Sequence, residues 1–301
     1  MGARVDAAAT LNAVAASGTA FFLHLGDMSY DEIRPESAWC DFVKAKVGAT
    51  FAYELVAGEH DSAGRFASPG ERIERFAACL PDRLHSQGTY GNRYFFDYPA
   101  RAPLARIVTI SPGLTFAGHR GVESYARGSP NYTWVGNVID DARARRIPWV
   151  IVAMAMDCIT AGLKRCEIGT DLLNLLVSKK VDLILQAHEH GYERSRQLAV
   201  GPACPVVPVG SYSACVVHDG ASDRYAKGAG PVIVIAGTAG VPLRPMNRRD
   251  PEARYFVKLM GSNLVPTRGF VKYTVSATRL HVQFVRSAGG DFTDAFTIDP
   301  P

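Results

Sequence analysis

Four times in this chain a short apolar run breaks off into acidic and histidine side chains. Residues 20–25 lead to Gly26 and Asp27, and residues 51–56 lead to Gly58, Glu59, His60 and Asp61. Residues 149–154 lead towards Asp157, and residues 181–185 lead to His188, Glu189 and His190. Apolar runs of this length are expected as buried strands. Amphipathic stretches lie between them. Residues 36–47 place Trp39, Phe42, Val43 and Val47 at i, i+3, i+4 and i+8, a helical stripe. A second helix is expected through Ile73, Phe76, Ala77 and Leu80, a third over residues 132–146 up to the breaker Pro148, and a fourth over 172–177. Residues 8–16 read as a short opening helix with Leu11, Val14 and Ala15 on one face.

Strand, polar turn, helix, strand is the order a layered α/β fold requires, with ligands presented beyond the carboxyl ends of the strands. Residues 93–98 and 106–110 add two strand-like segments. The pattern changes after about residue 200, where 232–236, 271–275 and 280–285 read as strands and the last two as a hairpin. No internal repeat or long linker interrupts the chain, so one compact domain over residues 1–301 is expected.

Composition narrows the function classes. With 301 residues, 47% hydrophobic and 21% charged, the chain can bury a large core and is not a disordered protein. Its formal charge of +4 is scattered, so it offers a mild attraction to phosphate-bearing ligands and no basic run for nucleic acid. The apolar runs fall short of the ~18–20 residues of a membrane span. The alanine-rich start is interrupted by Asn12 and has only Arg4 as a positive flank, which is not the pattern of a signal peptide.

The cysteines are Cys40, Cys79, Cys158, Cys166, Cys204 and Cys215, with no Cys-x-x-Cys spacing. Six cysteines allow 15 connectivities, and the short-range pairs 158/166 and 204/215 are the simplest. Disulfides would place the protein outside the cell or in the cell envelope, and the alternative is six buried thiols in the cytosol. With no signal peptide in the sequence, an exported chain would have its natural beginning further upstream.

A lone His-x-His is commonly structural. Four polar clusters at successive strand ends shift the balance towards metal ligands. His24, on the first buried run, reads as a core histidine, and His119, His218 and His281 as surface residues without ligand spacing. Ser211 and Ser213 lack a nucleophile-elbow context, and no Gly-rich phosphate loop occurs.

The clusters carry a specific resemblance. Gly26-Asp27-Met28-Ser29-Tyr30 is similar to the Gly-Asp-x-x-Tyr motif of purple acid phosphatases, in the calcineurin-like metallophosphoesterase superfamily. Gly58-Glu59-His60-Asp61 resembles their Gly-Asn-His-Glu, and His188-Glu189-His190 with Tyr192-Glu193-Arg194 resembles their His-x-His-x-Tyr-Glu-Arg. The run 148–152 resembles the strand before their Val-x-x-His motif, and residues 269–271 and 282–284 their closing strands. The resemblance, from about residue 20 to the end, implies a sandwich of two mixed β-sheets flanked by helices, with its first strand missing from this sequence.

The resemblance also implies roles. Asp27 would bridge two metal ions, an iron with a zinc, manganese or second iron. Tyr30 would be the phenolate that colours the purple enzymes, and His190 would ligate the same iron. Glu59 and His188 would ligate the second ion, and His60 would contact a small phosphorylated substrate and protonate its leaving group. Two such cations can neutralise phosphate and acidify an attacking water.

Three departures bear on occupancy. Glu59 stands where the family has asparagine, Ala155 stands where it has a ligating histidine, and nothing before Asp27 matches its Asp-x-Gly motif. Asp157, two residues beyond Ala155, could replace the lost ligand, or be an exposed loop aspartate. The expected function is therefore a metal-dependent phosphoesterase, with a non-catalytic descendant that binds a ligand or a single metal as the alternative.

Overall fold

The computed structural model describes residues 1–65, 67, 72–118 and 121–300. In chain order the main elements are α1 (Val5–Ala16), β1 (Phe21–Leu25), α2 (Glu36–Val47), β2 (Ala52–Val56), α3 (Ile73–Cys79), β3 (Gln87–Thr89), β4 (Arg93–Tyr98) and β5 (Ala105–Thr109). Next come α4 (Pro130–Ala144), β6 (Trp149–Ala153), α5 (Thr170–Ser178), β7 (Leu183–Gln186), β8 (Tyr192–Ser195) and β9 (Gln197–Leu198). The last part holds β10 (Val216–His218), β11 (Arg224–Ala226), β12 (Val232–Ala236), β13 (Phe256–Met260), β14 (Thr267–Val275), β15 (Leu280–Gly289) and β16 (Ala295–Asp299).

An eight-stranded mixed sheet runs β13-β8-β12-β7-β6-β5-β4-β3. Its centre is parallel, with β5, β6, β7 and β12 in register side by side. Every residue of β6 is buried, as a strand covered on both faces requires. Its alternation divides the core in two. Val150 and Val152 pack beneath the helices with Val135, Ile139, Leu172 and Leu176. Trp149, Ile151 and Ala153 face the opposite layer, where Phe284, Phe296 and Leu280 meet them.

That opposite layer contains the antiparallel run β14-β15-β16, joined in parallel by β11, and the parallel pair β1-β2. Among the described residues β1 pairs as a strand only with β2, and β14 only with β15. Their facing edges bound a largely apolar cavity of about 620 Å³ that reaches Asp27, Tyr30, Ala155, His188 and His190.

Local sequence explains several boundaries. Ser129 caps α4 by accepting from the Tyr132 N–H, and Pro130 occupies the first helical position. Gly48 ends α2 at φ 96°. Helix α1 buries Ala7, Thr10, Leu11 and Val14, whereas Ala15, expected on that face, is exposed. The spacing 7, 10/11, 14 tracks the helical period more closely than a face through 15.

Strand β8, absent from the sequence reading, is fully buried despite the polar sequence Tyr-Glu-Arg-Ser. Arg194 is neutralised by Asp294 at 2.8 Å and Asp223 at 2.5 Å, and Glu193 accepts from Thr160 Oγ1 and the Ala161 N–H. Partners distant in sequence turned a turn-like tetrapeptide into an interior strand. Disulfides join 40 to 79, 158 to 166 and 204 to 215, including both short-range pairs. Among the described residues no helix is long and apolar enough to cross a membrane.

Candidate metal centre

Parallel strands deliver side chains to one edge of the molecule. The turn after β1 carries Asp27 and Tyr30, both in the left-handed region at φ 55° and 53°. The turn after β2 carries Glu59, His60 and Asp61, and the bend after β7 carries His188 and His190. Two glycines permit the first two turns to touch. A Cβ on Gly26 would stand 2.5 Å from the Gly58 Cα, and one on Gly58 would stand 2.4 Å from the Asp27 amide nitrogen.

Asp61 ties these turns together, accepting from the Met28 N–H at 3.0 Å and the Gly58 N–H at 2.8 Å while fully buried. Asp27 is buried at the centre. Its Oδ1 accepts the His60 N–H at 2.9 Å, and its Oδ2 accepts the Tyr30 hydroxyl at 3.0 Å. The Tyr30 Oη also stands 3.2 Å from His190 Nε2. His190 Nδ1 lies 3.0 Å from the Pro242 carbonyl, which turns Nε2 towards this group. The His60 ring packs on Tyr30 with centroids 4.3 Å apart.

The electrostatics follow the burial. Burial opposes ionisation of Asp27, but the charges of His60 and His188 and the His60 N–H outweigh it and hold the carboxyl below its ordinary range. Burial and the Asp27 charge raise Tyr30 well above an ordinary phenol. Burial, helped by Arg244, pushes His190 down to about 4.

On the other side of Asp27, His188 Nε2 lies 3.7 Å from Glu59 Oε2 and 3.2 Å from Glu167 Oε2. The latter approach lacks hydrogen-bond geometry, so both the His188 and the Glu167 atom remain without a hydrogen-bond partner. Burial disfavours charge on His188, yet Glu167 and Asp157 raise its pKa overall. Lys164 Nζ stands 3.6 Å from Glu59 Oε2.

Asp157 is fully buried, which overturns its reading as an exposed loop aspartate. Strand β6 ends at Ala153, and Asp157 is carried by the irregular segment that follows it. Neither of its carboxylate oxygens has a hydrogen-bond partner, and burial pushes its pKa up to about 7. Ala155 is buried beside Gly26 and offers only a methyl group.

The structure thus brings Asp27, Tyr30, Glu59, His60, His188 and His190 to one place. His24 is a core histidine bonded to the Tyr53 hydroxyl at 3.0 Å. His218 and His281 are partly exposed surface residues, and His119 falls outside the described residues. Glu167, Lys164, Glu189 and Arg244 were not legible as site residues. One local signal existed: Asp157 and Glu167 immediately flank the Cys158–Cys166 pair.

Among the described residues, no three or more His, Cys, Asp and Glu side chains already form a ready-made metal shell. The donor chemistry nevertheless fits cations. Orphaned, buried atoms of Asp157, Glu167 and His188 face a region rich in carboxylate, and such groups are costly unless something pairs with them.

Comparison with known proteins gives the family and the fold. The sequence profile described as calcineurin-like phosphoesterase matches residues 1–192. Human acid phosphatase type 7 is 27% identical over 269 residues, covering 78% of this chain and 56% of that protein. An Arabidopsis thaliana protein described as probable inactive purple acid phosphatase 1 is 23% identical over 290 residues, covering 91% of this chain and 42% of the relative. The chain therefore spans about half the length of these relatives.

Among solved structures, the purple acid phosphatase PPD1 of yellow lupin superposes with a TM-score of 0.64 at 15% identity, covering 98% of this chain and 49% of that one. GAP50, the anchor in the inner membrane complex of Plasmodium, gives 0.58 at 13% identity, covering 98% and 84%. At these identities the superpositions speak for the fold alone.

Proposed function

The chain belongs to the calcineurin-like phosphoesterase family, and from that premise we propose that it is a metal-dependent hydrolase of small phosphomonoesters. One observation carries the reading. Asp27 and Tyr30 from one turn, joined at 3.0 Å, meet His190 from a turn far away in sequence through a 3.2 Å contact at the carboxyl ends of parallel strands.

In this reading Asp27 is the shared carboxylate. Tyr30 and His190 complete one cation position, and Glu59 and His188 serve the other. Bound cations would supply neutralisation of the phosphoryl oxygens and acidification of an attacking water; iron with zinc, manganese or a second iron is the pairing expected. His60 packs on Tyr30 beside Asp27, where its imidazole can reach a phosphate ester and give a proton to the departing alkoxide. Arg244 and Lys164 add positive charge at the rim, which favours an anionic substrate. The three disulfides fit an oxidising compartment, outside the cell or in its envelope.

Purified protein should contain cations by elemental analysis and hydrolyse an aryl phosphate somewhere between pH 4 and 9. Metal bound stoichiometrically together with a fully active Asp27→Asn variant would end this reading. The second reading, a non-catalytic ligand-binding descendant, is favoured by Ala155 and by the Lys164 ammonium beside Glu59, which can stand where a cation would otherwise sit. Such a protein would show no turnover at any pH in that range.

A further inference from the structure

The loop between Asp157 and Glu167 is built unlike the other turns at this edge. The Cys158–Cys166 disulfide closes it, and the Glu167 N–H donates to the Asp157 carbonyl at 3.0 Å, so the two acidic residues emerge side by side from its base. Its far side is pinned from beneath. Glu189, between the two histidines, accepts from the Leu163 and Lys164 N–H groups at 2.6 and 3.1 Å. Glu193 takes the Thr160 hydroxyl and the Ala161 N–H. The loop is thus fixed to the bend that carries His188 and to β8.

The closest approach at its base lacks hydrogen-bond geometry, and the distances there are those expected between ligands of one ion. Two ligands of one ion at ~2.1 Å stand ~3.0 Å apart at a right angle and ~3.4 Å apart at the tetrahedral angle. His188 Nε2 lies 3.2 Å from Glu167 Oε2 and 3.7 Å from Glu59 Oε2, either side of the tetrahedral value. Asp157 is 0% exposed with both oxygens unpartnered, and the charges acting on it are those of His188, Glu189, Glu167 and Lys164. Carboxylates from 59, 157 and 167 thus gather around one imidazole, His188, and one ammonium, Lys164.

We propose that the second cation position, which has alanine at 155 instead of an imidazole, is rebuilt on this disulfide-closed loop, with Glu167 and Asp157 joining Glu59 and His188 to hold a divalent ion. The inference rests on the reading that the site holds cations, and it adds ligands that no resemblance supplies. Oxygen-rich donors with one imidazole suit manganese or zinc.

The test is Mn²⁺ titration of the disulfide-intact protein, followed by calorimetry and by the electron paramagnetic resonance of bound Mn²⁺. Glu167→Gln should weaken the affected equivalent at least about tenfold and change its spectrum. Asp157→Asn and the paired Cys158→Ser/Cys166→Ser variant should act in the same direction. Glu167 is half-buried, so its variant should fold, which near-UV circular dichroism checks. Lys164→Met should tighten binding by removing the competing ammonium.

Wild-type affinity and spectrum in Glu167→Gln would overturn the proposal. So would a native protein that takes up no Mn²⁺ until Lys164 is replaced. Turnover of an aryl phosphate is read separately. Weakened Mn²⁺ binding in an inactive protein would sink the proposed activity and keep this site, whereas an active enzyme indifferent to Glu167→Gln would do the reverse.

Discussion

The two sides of Asp27 are built on opposite principles. On the Tyr30 and His190 side the polar atoms satisfy one another: hydroxyl to carboxylate at 3.0 Å, hydroxyl to imidazole at 3.2 Å, and imidazole to the Pro242 carbonyl at 3.0 Å. On the Glu59 and His188 side they do not, and buried oxygens of Asp157 and Glu167 are left without partners. A closed hydrogen-bond network is preorganised with or without an ion. An open set of buried carboxylates carries an unrelieved desolvation cost, which a cation would offset. The difference places geometric definition on one side and electrostatic demand on the other.

The largest test of that contrast is Asp27→Asn, since Asp27 serves both sides. Phosphoester turnover should fall at least about a hundredfold. A loss of Mn²⁺ from one side alone would show that Asp27 is not shared. Next, Asp61→Ala removes the brace between the turns after β1 and β2 and strands the Met28 and Gly58 N–H groups. Denaturant unfolding should show a loss of about 2–4 kcal/mol. Unchanged stability would mean the turns hold themselves.

Strand β2 offers a control within one element. Glu54, inside it, is fully buried, and burial pushes its carboxyl up to about 7 from an ordinary 4.5. A raised carboxyl favours the protonated folded state, so its stabilising contribution is complete below pH 4.5 and is lost as pH rises through about 7. Glu54→Gln should therefore be more stable than the native chain at pH 8, by about 1–2 kcal/mol, and no more stable at pH 4. An equal effect at both pH values would show that the strain lies elsewhere.

The smallest effect is expected from Ala155→His. Ala155 lines the 620 Å³ cavity, so an imidazole has room. Restoring it should tighten the second cation severalfold and raise turnover to match, up to about tenfold. No change in either quantity would mean that the site has diverged beyond the loss of one ligand.

Much of this was legible beforehand, for definite reasons. The strands at 21–25, 52–56, 149–153 and 183–186 announce themselves as apolar runs ending in polar turns, and Asp27, Tyr30, His60 and the two histidines lie within a few residues of those ends. Strand β8 did not, because its buried Glu193 and Arg194 look like surface residues until Thr160, Asp223 and Asp294 arrive to neutralise them. Glu167 was silent for the same reason. Its meaning depends on a disulfide and on a histidine 21 positions away.

Sequence alone determined the layered fold and the one edge at which its polar turns gather, because side-chain periodicity and turn chemistry are written over short distances. Only the tertiary structure decided which carboxylates face which imidazole. That Asp157 and Glu167 are held together beside His188 follows from a disulfide and from contacts with a segment further along the chain, which no local pattern encodes.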